Sequence, residues 1–127
     1  MFQMVRHQSE VGLVPHDTSL MLTFYRDVIG LQVHSETPIA GAVNRRFLCG
    51  ETVVKLLCLD EPPPLGVKGV FGQYGLRKLY LVLADFDAAV ARLAAAGMEA
   101  AVNQGRALRY CNIEDPEGNA LELVGLD

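Results

Sequence analysis

Residues 78–85 read KLYLVLAD, and residues 10–17 read EVGLVPHD. Each stretch opens on a charged residue, passes through an apolar run short enough for one strand, and closes on an aspartate. The two aspartates stand 85 − 17 = 68 residues apart. With the two-residue period of a strand, Leu79, Leu81 and Leu83 take one face, and Lys78, Tyr80 and Val82 take the other. A row of leucines facing a core needs no further account; a lysine leading the opposite row does. The closing stretch 118–127, GNALELVGLD, has the same feature with the sign reversed: Leu121 and Leu123 face the core, while Glu122 shares its face with Ala120 and Val124.

The two stretches head a repeat that continues along the chain. After Asp17, the residues Leu20, Met21, Phe24, Tyr25 and Val28 have helical spacing and end at Gly30. After Asp85, the residues Phe86, Val90, Leu93 and Ala94 do the same and end at Gly97. Aspartate at a helix start accepts from unpaired backbone amides, and glycine suits the left-handed residue that ends a helix. A strand is expected after each helix (LQVHSE, 31–36; MEAAVN, 98–103), followed by a hairpin. The first hairpin, 44–59, turns near Gly50; the second, 107–124, turns at Asp115 to Asn119. Lys55 and Glu122 fall on the last strands, 122 − 55 = 67 apart, so one residue is missing in or near the second helix. The expected fold is therefore α+β, with two paired β-α-β-β-β modules in one domain over 1–127. Module one is about 9–60, a linker 61–75, and module two 76–127.

Bulk properties narrow the function classes. At 127 residues and 50% hydrophobic composition the chain can bury one core. A net charge of −4, with adjacent basic pairs only at Arg45–Arg46 and Arg77–Lys78, argues against a nucleic-acid partner. The longest apolar run, Leu79 to Ala84, is far too short for a membrane span, and the start MFQMVRHQSE meets charge before any apolar stretch. A cytoplasmic location follows as the default. Cys49, Cys58 and Cys111 form no C-x-x-C pair and read as reduced core thiols. The linker DEPPPLGVKGVFGQYG (60–75) has three prolines and four glycines, which forbid a regular element. It either connects the halves or covers a pocket as a flap, with Phe71 and Tyr74 as its apolar contacts.

The stretches TFYRDVIGLQV (23–33) and EDPEGNALELV (114–124), set around the paired halves, resemble the vicinal oxygen chelate superfamily, which includes glyoxalase I, extradiol dioxygenases and bleomycin-resistance binding proteins. The likeness covers nearly the whole chain from Glu10. It implies two modules whose sheets curl into a cupped mixed sheet, a small-molecule ligand in the hollow, and a homodimer. It also implies a divalent metal held by one residue from the first and one from the last strand of each module. Those positions are Glu10, Lys55, Lys78 and Glu122, the four that the repeat marks independently. Lysine at two of four departs from the family's donors, because a protonated ammonium has no lone pair to give. His7, His16 and His34 show no i, i+4 pairing and fall on no inward strand position.

The expected site thus has no metal and no cofactor. Lys55 and Lys78, with Tyr80, Phe47 and Tyr110 as lining, bind a polar or anionic group. Glu122 or Glu10 is the candidate catalytic base should the protein be an enzyme. Three readings compete. The first is a binding protein of the bleomycin-resistance type. The second is a metal-independent isomerase, epimerase or lyase with Lys55 and Lys78 stabilising an oxyanion. The third is a divalent-metal-dependent lyase or dioxygenase. Beside these, the four charges read as a structural ion-pair cluster. Arg45, Arg46 and Arg109 read as solvated residues on the hairpins.

Overall fold

The computed structural model describes residues 1–4, 8–72 and 75–127. His7 and Tyr74, singled out above, lie outside the described residues. The chain divides into two compact units, Met1–Pro64 and Leu65–Asp127, and the division falls within the expected linker.

The first unit holds β1 (Glu10–Leu13), α1 (Thr18–Leu22), a π-helical continuation (Thr23–Val28), β2 (Gln32–Ile39), β3 (Ala42–Cys49) and β4 (Thr52–Leu59). Its sheet order is β1-β4-β3-β2, with β1 parallel to β4 and the other pairs antiparallel. The second unit repeats this with β5 (Lys78–Val82), α2 (Phe86–Ala95), β6 (Asn103–Gly105), β7 (Leu108–Glu114) and β8 (Ala120–Leu126), in the order β5-β8-β7-β6 with β5 parallel to β8. The fold is α+β, two β-α-β-β-β modules each built on a four-stranded mixed sheet. The repeat extends to the register: Gly12 pairs with Lys55 and Tyr80 with Glu122, at offsets 80 − 12 = 68 and 122 − 55 = 67.

The one-residue difference has a local cause. Asp17 caps α1 by accepting from the Leu20 amide at 3.1 Å, and Asp85 caps α2 by accepting from the Ala88 amide at 2.9 Å. Gly30 and Gly97 end the helical segments, each at φ 81°. From cap to glycine the first unit has 30 − 17 = 13 steps and the second 97 − 85 = 12. The extra residue is absorbed by widening the turn: Ile29 donates to the Phe24 carbonyl, five residues back, at 2.8 Å.

Each unit has its own apolar core. Met21, Phe24 and Tyr25 of the helical segment are buried, as are Phe47, Val54 and Leu56 on one face of β3 and β4. In the second unit Phe86 and Leu93 of α2 are buried with Leu121, Leu123 and Cys111. Gly125 lets α2 approach β8, since a Cβ there would lie 2.5 Å from Phe86 Cβ.

One expected strand is displaced. MEAAVN (98–103) does not form a strand; residues 98–102 are irregular, and the strand that pairs with β7 is Asn103–Gly105. A two-residue turn at Arg106–Ala107 sets this register, and the alanines before it offer little side-chain surface for pairing. In the first unit β2 runs further than expected, to Ile39, with a register break between Val33 and Ser35 that places His34 in a bulge.

Candidate functional site

In the first unit, β4 brings Lys55 opposite Arg46 of β3 and opposite Gly12 of β1. Gly12 has no side chain in the way; a Cβ there would sit 3.5 Å from Lys55 Cε. Glu10 Oε1 accepts from Arg46 Nε at 2.9 Å and lies 3.4 Å from Lys55 Nζ. Arg46, more than Lys55, holds the Glu10 carboxyl below the ordinary glutamate range. A carboxylate held in that form is a weak proton acceptor, which counts against Glu10 as a base. Phe47 takes the face of Val54, opposite to that of Lys55, and is 2% exposed. It is a core residue of the first unit and not a lining residue beside Lys55; its register, fixed by the tight turn at Gly50, decides this.

In the second unit, Lys78 of β5 donates to Glu122 Oε2 of β8 in direct contact. Tyr80 and Asn112 are the register partners of Glu122 on its two sides, and Tyr110 pairs with Val124 on the same face. A cavity of about 680 Å3 opens here, with Lys78, Asn112 and Glu122 on its sheet side and the segment Lys68–Gly72 across from them. Tyr80 and Tyr110 share the sheet face but do not line this cavity.

The segment 67–72, the middle of the Pro- and Gly-rich linker, is held in place by named contacts. The Gly69 amide donates to the Gly118 carbonyl at 3.0 Å, and Arg77 donates to the carbonyls of Val67 and Gly69. Lys68 lies directly on Gly118, where a Cβ would come within 2.4 Å of its side chain. Gly118 in turn sits in the 115–119 loop, which buried Asp115 organises. The Asp115 carboxylate accepts from the Glu117 amide at 2.9 Å, the Asn119 amide at 3.0 Å and the Asn119 side chain at 2.8 Å.

The remaining candidates have structural roles. His16 Nδ1 donates to the Pro63 carbonyl at 2.7 Å. All three cysteines are free, and burial pushes the thiols of Cys49 and Cys111 up, away from thiolate chemistry. Arg109 pairs with Asp87 at 2.8 Å and lies over the Phe86 ring. Arg45 lies 3.4 Å from Glu36.

Arg46, Lys68, Asn112 and Glu114 were not assigned to the site from sequence. Arg46 was within reach: a two-residue turn at Gly50–Glu51 pairs residues whose numbers sum to 101, and 46 + 55 satisfies it. In the second hairpin the five-residue loop 115–119 pairs residues whose numbers sum to 234, which puts Asn112 beside Glu122. Lys68 is placed by a close approach to Gly118, for which sequence has no signal.

The donor chemistry at the four repeat-related positions does not fit a divalent cation. Each half supplies one carboxylate already paired with an ammonium of its own sheet, and Arg46 adds a second cation in the first unit. Among the described residues no three His, Cys, Asp or Glu side chains gather at one point, and no helix is long and apolar enough to cross a membrane.

Two copies of one β-α-β-β-β module in a single chain, with a charged cavity against the sheet of the second, define a duplicated-module α+β protein. The family model of the Glyoxalase/Bleomycin resistance protein/Dioxygenase superfamily matches residues 7–123, and the chain belongs to that superfamily. Among solved structures it is similar to TnmS3, an antibiotic binding protein from Streptomyces sp. CB03234. The identity is 21%, the TM-score 0.73, and the match covers 99% of this chain and 100% of that one. It is also similar to lactoylglutathione lyase from Agrobacterium tumefaciens, at 23% identity and TM-score 0.66, with 92% and 91% covered. A glyoxalase/bleomycin resistance protein/dioxygenase domain from Frankia sp. EAN1pec is 19% identical at TM-score 0.72, with 100% and 94% covered. At these identities the likeness is one of fold. Comparison with curated protein sequences returns no match.

Proposed function

We propose that the protein binds a polar or anionic small molecule in the second unit, against the Lys78–Glu122 pair, and that it does so without a catalytic metal at the repeat-related positions. The observation that carries this reading is the cavity itself. Its 680 Å3 is within the range of small-molecule sites, about 300–1,000 Å3, and its sheet side presents an ammonium, a carboxylate and an amide. The segment across from the sheet is tied down by the Gly69–Gly118 backbone hydrogen bond and by the Arg77 guanidinium, which donates to the Val67 and Gly69 carbonyls. That a protein with this fold is described as antibiotic binding supports a binder.

Elemental analysis of the purified protein, together with a thermal-shift screen of polar small molecules with and without chelator, tests the reading. Saturable stabilisation that survives chelator and is lost on Glu122→Gln is the expected result. Stoichiometric divalent metal, with stabilisation abolished by chelator, overturns it. Turnover of a carbonyl ligand that survives chelator and falls on Glu122→Gln makes the protein a metal-independent isomerase or lyase, with Glu122 as base.

A further inference from the structure

The cavity of the second unit is lined by ionisable side chains of balanced sign. Lys68 and Lys78 carry two positive charges, and Glu114 and Glu122 two negative ones, so the formal sum is zero. Lys78 and Glu122 are paired with each other across β5 and β8. Lys68 and Glu114 also line the cavity, and neither is in an ion pair among the described residues. Asn112 adds an amide able to donate and to accept. The apolar lining comes from Val70, Ile113 and Ala120, and from Phe71, whose side chain is fully exposed.

From this composition we infer that the preferred ligand is a zwitterion with an apolar or aromatic body, of about dipeptide size. The inference rests on the small-molecule reading above and narrows its ligand class. A simple anion can take a lysine, but it leaves Glu114 without a partner and brings a third negative charge beside Glu122. A simple cation has the converse effect on the lysines. A molecule carrying both an ammonium and a carboxylate can satisfy Glu114 and Lys68 together and leaves the Lys78–Glu122 pair intact. A balanced cavity also exerts no net field to concentrate ions of one sign, so selectivity comes from paired contacts and not from steering. The exposed Phe71 ring at the cavity offers a planar apolar surface to the ligand body.

A matched set of probes tests this: leucyl-phenylalanine with free termini, its N-acetyl derivative (an anion) and its C-terminal amide (a cation). Affinities are measured by calorimetry on the full chain at low salt. The free dipeptide is expected to bind at least tenfold more tightly than either blocked form. Glu114→Gln, a change at an exposed site, should reduce the discrimination against the N-acetyl form several-fold. Equal or tighter binding of the acetylated or amidated form overturns the inference, as does a Glu114→Gln variant with unchanged discrimination. If all three dipeptides fail while other molecules of the polar screen bind, the zwitterion assignment falls and the binding reading stands; if nothing in the screen binds, both fall.

Discussion

Replacing Lys78 by methionine separates the stability of the Lys78–Glu122 pair from its use. The side chains are 37% and 18% exposed, respectively. An ion pair open to solvent is worth about 0–1 kcal/mol, but Glu122 is the more covered partner and shares its face with Ala120 and Val124. Removing its ammonium leaves a mostly buried carboxylate short of a partner, which costs about 1–3 kcal/mol. Lys78→Met should therefore destabilise the protein by about 1–2 kcal/mol in urea unfolding. Removing both charges, as Lys78→Met with Glu122→Leu, should return stability to the starting value or above it, because well-packed apolar residues often replace a covered ion pair without loss. Four unfolding curves complete the cycle, and the double variant should remain folded while losing ligand stabilisation. A Lys78→Met variant as stable as the parent, with no coupling to Glu122, would refute the pair as an energetic unit. A stable double variant that still binds would make it a purely structural cluster.

Asp115→Ala should cost about 2–4 kcal/mol in the same assay, since three hydrogen bonds to a buried carboxylate are lost and the Glu117 and Asn119 amides lose their acceptor. Ala107→Gly should stabilise by about 0.5–1 kcal/mol, because Ala107 holds φ 59° in the β6–β7 turn, where only glycine is free of strain. The Glu10 carboxyl is depressed in the folded state by Arg46, so its contribution is complete above the ordinary glutamate value, about 4.3, and is lost as pH falls through the lower folded value. Arg46→Met should flatten the acid limb of a stability-versus-pH profile below about pH 4.3 by a fraction of a kcal/mol, Glu10 being solvent-screened.

The module architecture was legible because the residues that specify it act locally. Asp17 and Asp85 cap, Gly30 and Gly97 terminate, and the strand period separates Leu79 and Leu81 from Lys78 and Tyr80, each within a few positions of the element it defines. Lys78 and Glu122 could be matched because the duplication places them at equivalent ends of paired strands. What escaped was set by register and by backbone approach. Sequence offers Phe47 as lining only with its hairpin register left open, and the pairing of β3 with β4 turns it to the face opposite Lys55. The strand expected over 98–103 lost to a turn at Arg106–Ala107 that apolar spacing does not reveal. Lys68 reaches the cavity only because Gly118 lets a linker lie on a loop 50 residues further along (118 − 68 = 50), whereas Glu114 arrives by register, opposite Ala120 on the face of Glu122.

The order of charge is reversed between the halves, but what separates them energetically is how many cations each carboxylate has. In the first unit the acid stands on the first strand and the base on the last; in the second the base comes first. Either order sets an ammonium diagonally against a carboxylate of the neighbouring strand, two register positions along (Glu10 pairs with Val53 and Lys78 with Ala120), so each half neutralises its own pair within its own sheet. The halves differ in redundancy. Glu10 has two cations, with Arg46 at 2.9 Å and Lys55 at 3.4 Å, whereas Glu122 has Lys78 as its ion-pair partner. Asn112, at the register position opposite Glu122, adds no charge. Lys55→Met should therefore be nearly silent, within about 0.5 kcal/mol, because the closer Arg46 contact remains. Lys78→Met should carry the larger cost worked out above, although the two lysines occupy corresponding places in a repeated fold. Equal losses from both variants would mean that Arg46 does not share Glu10 in solution, and Lys55→Met would then have exposed a charge that the first sheet cannot satisfy.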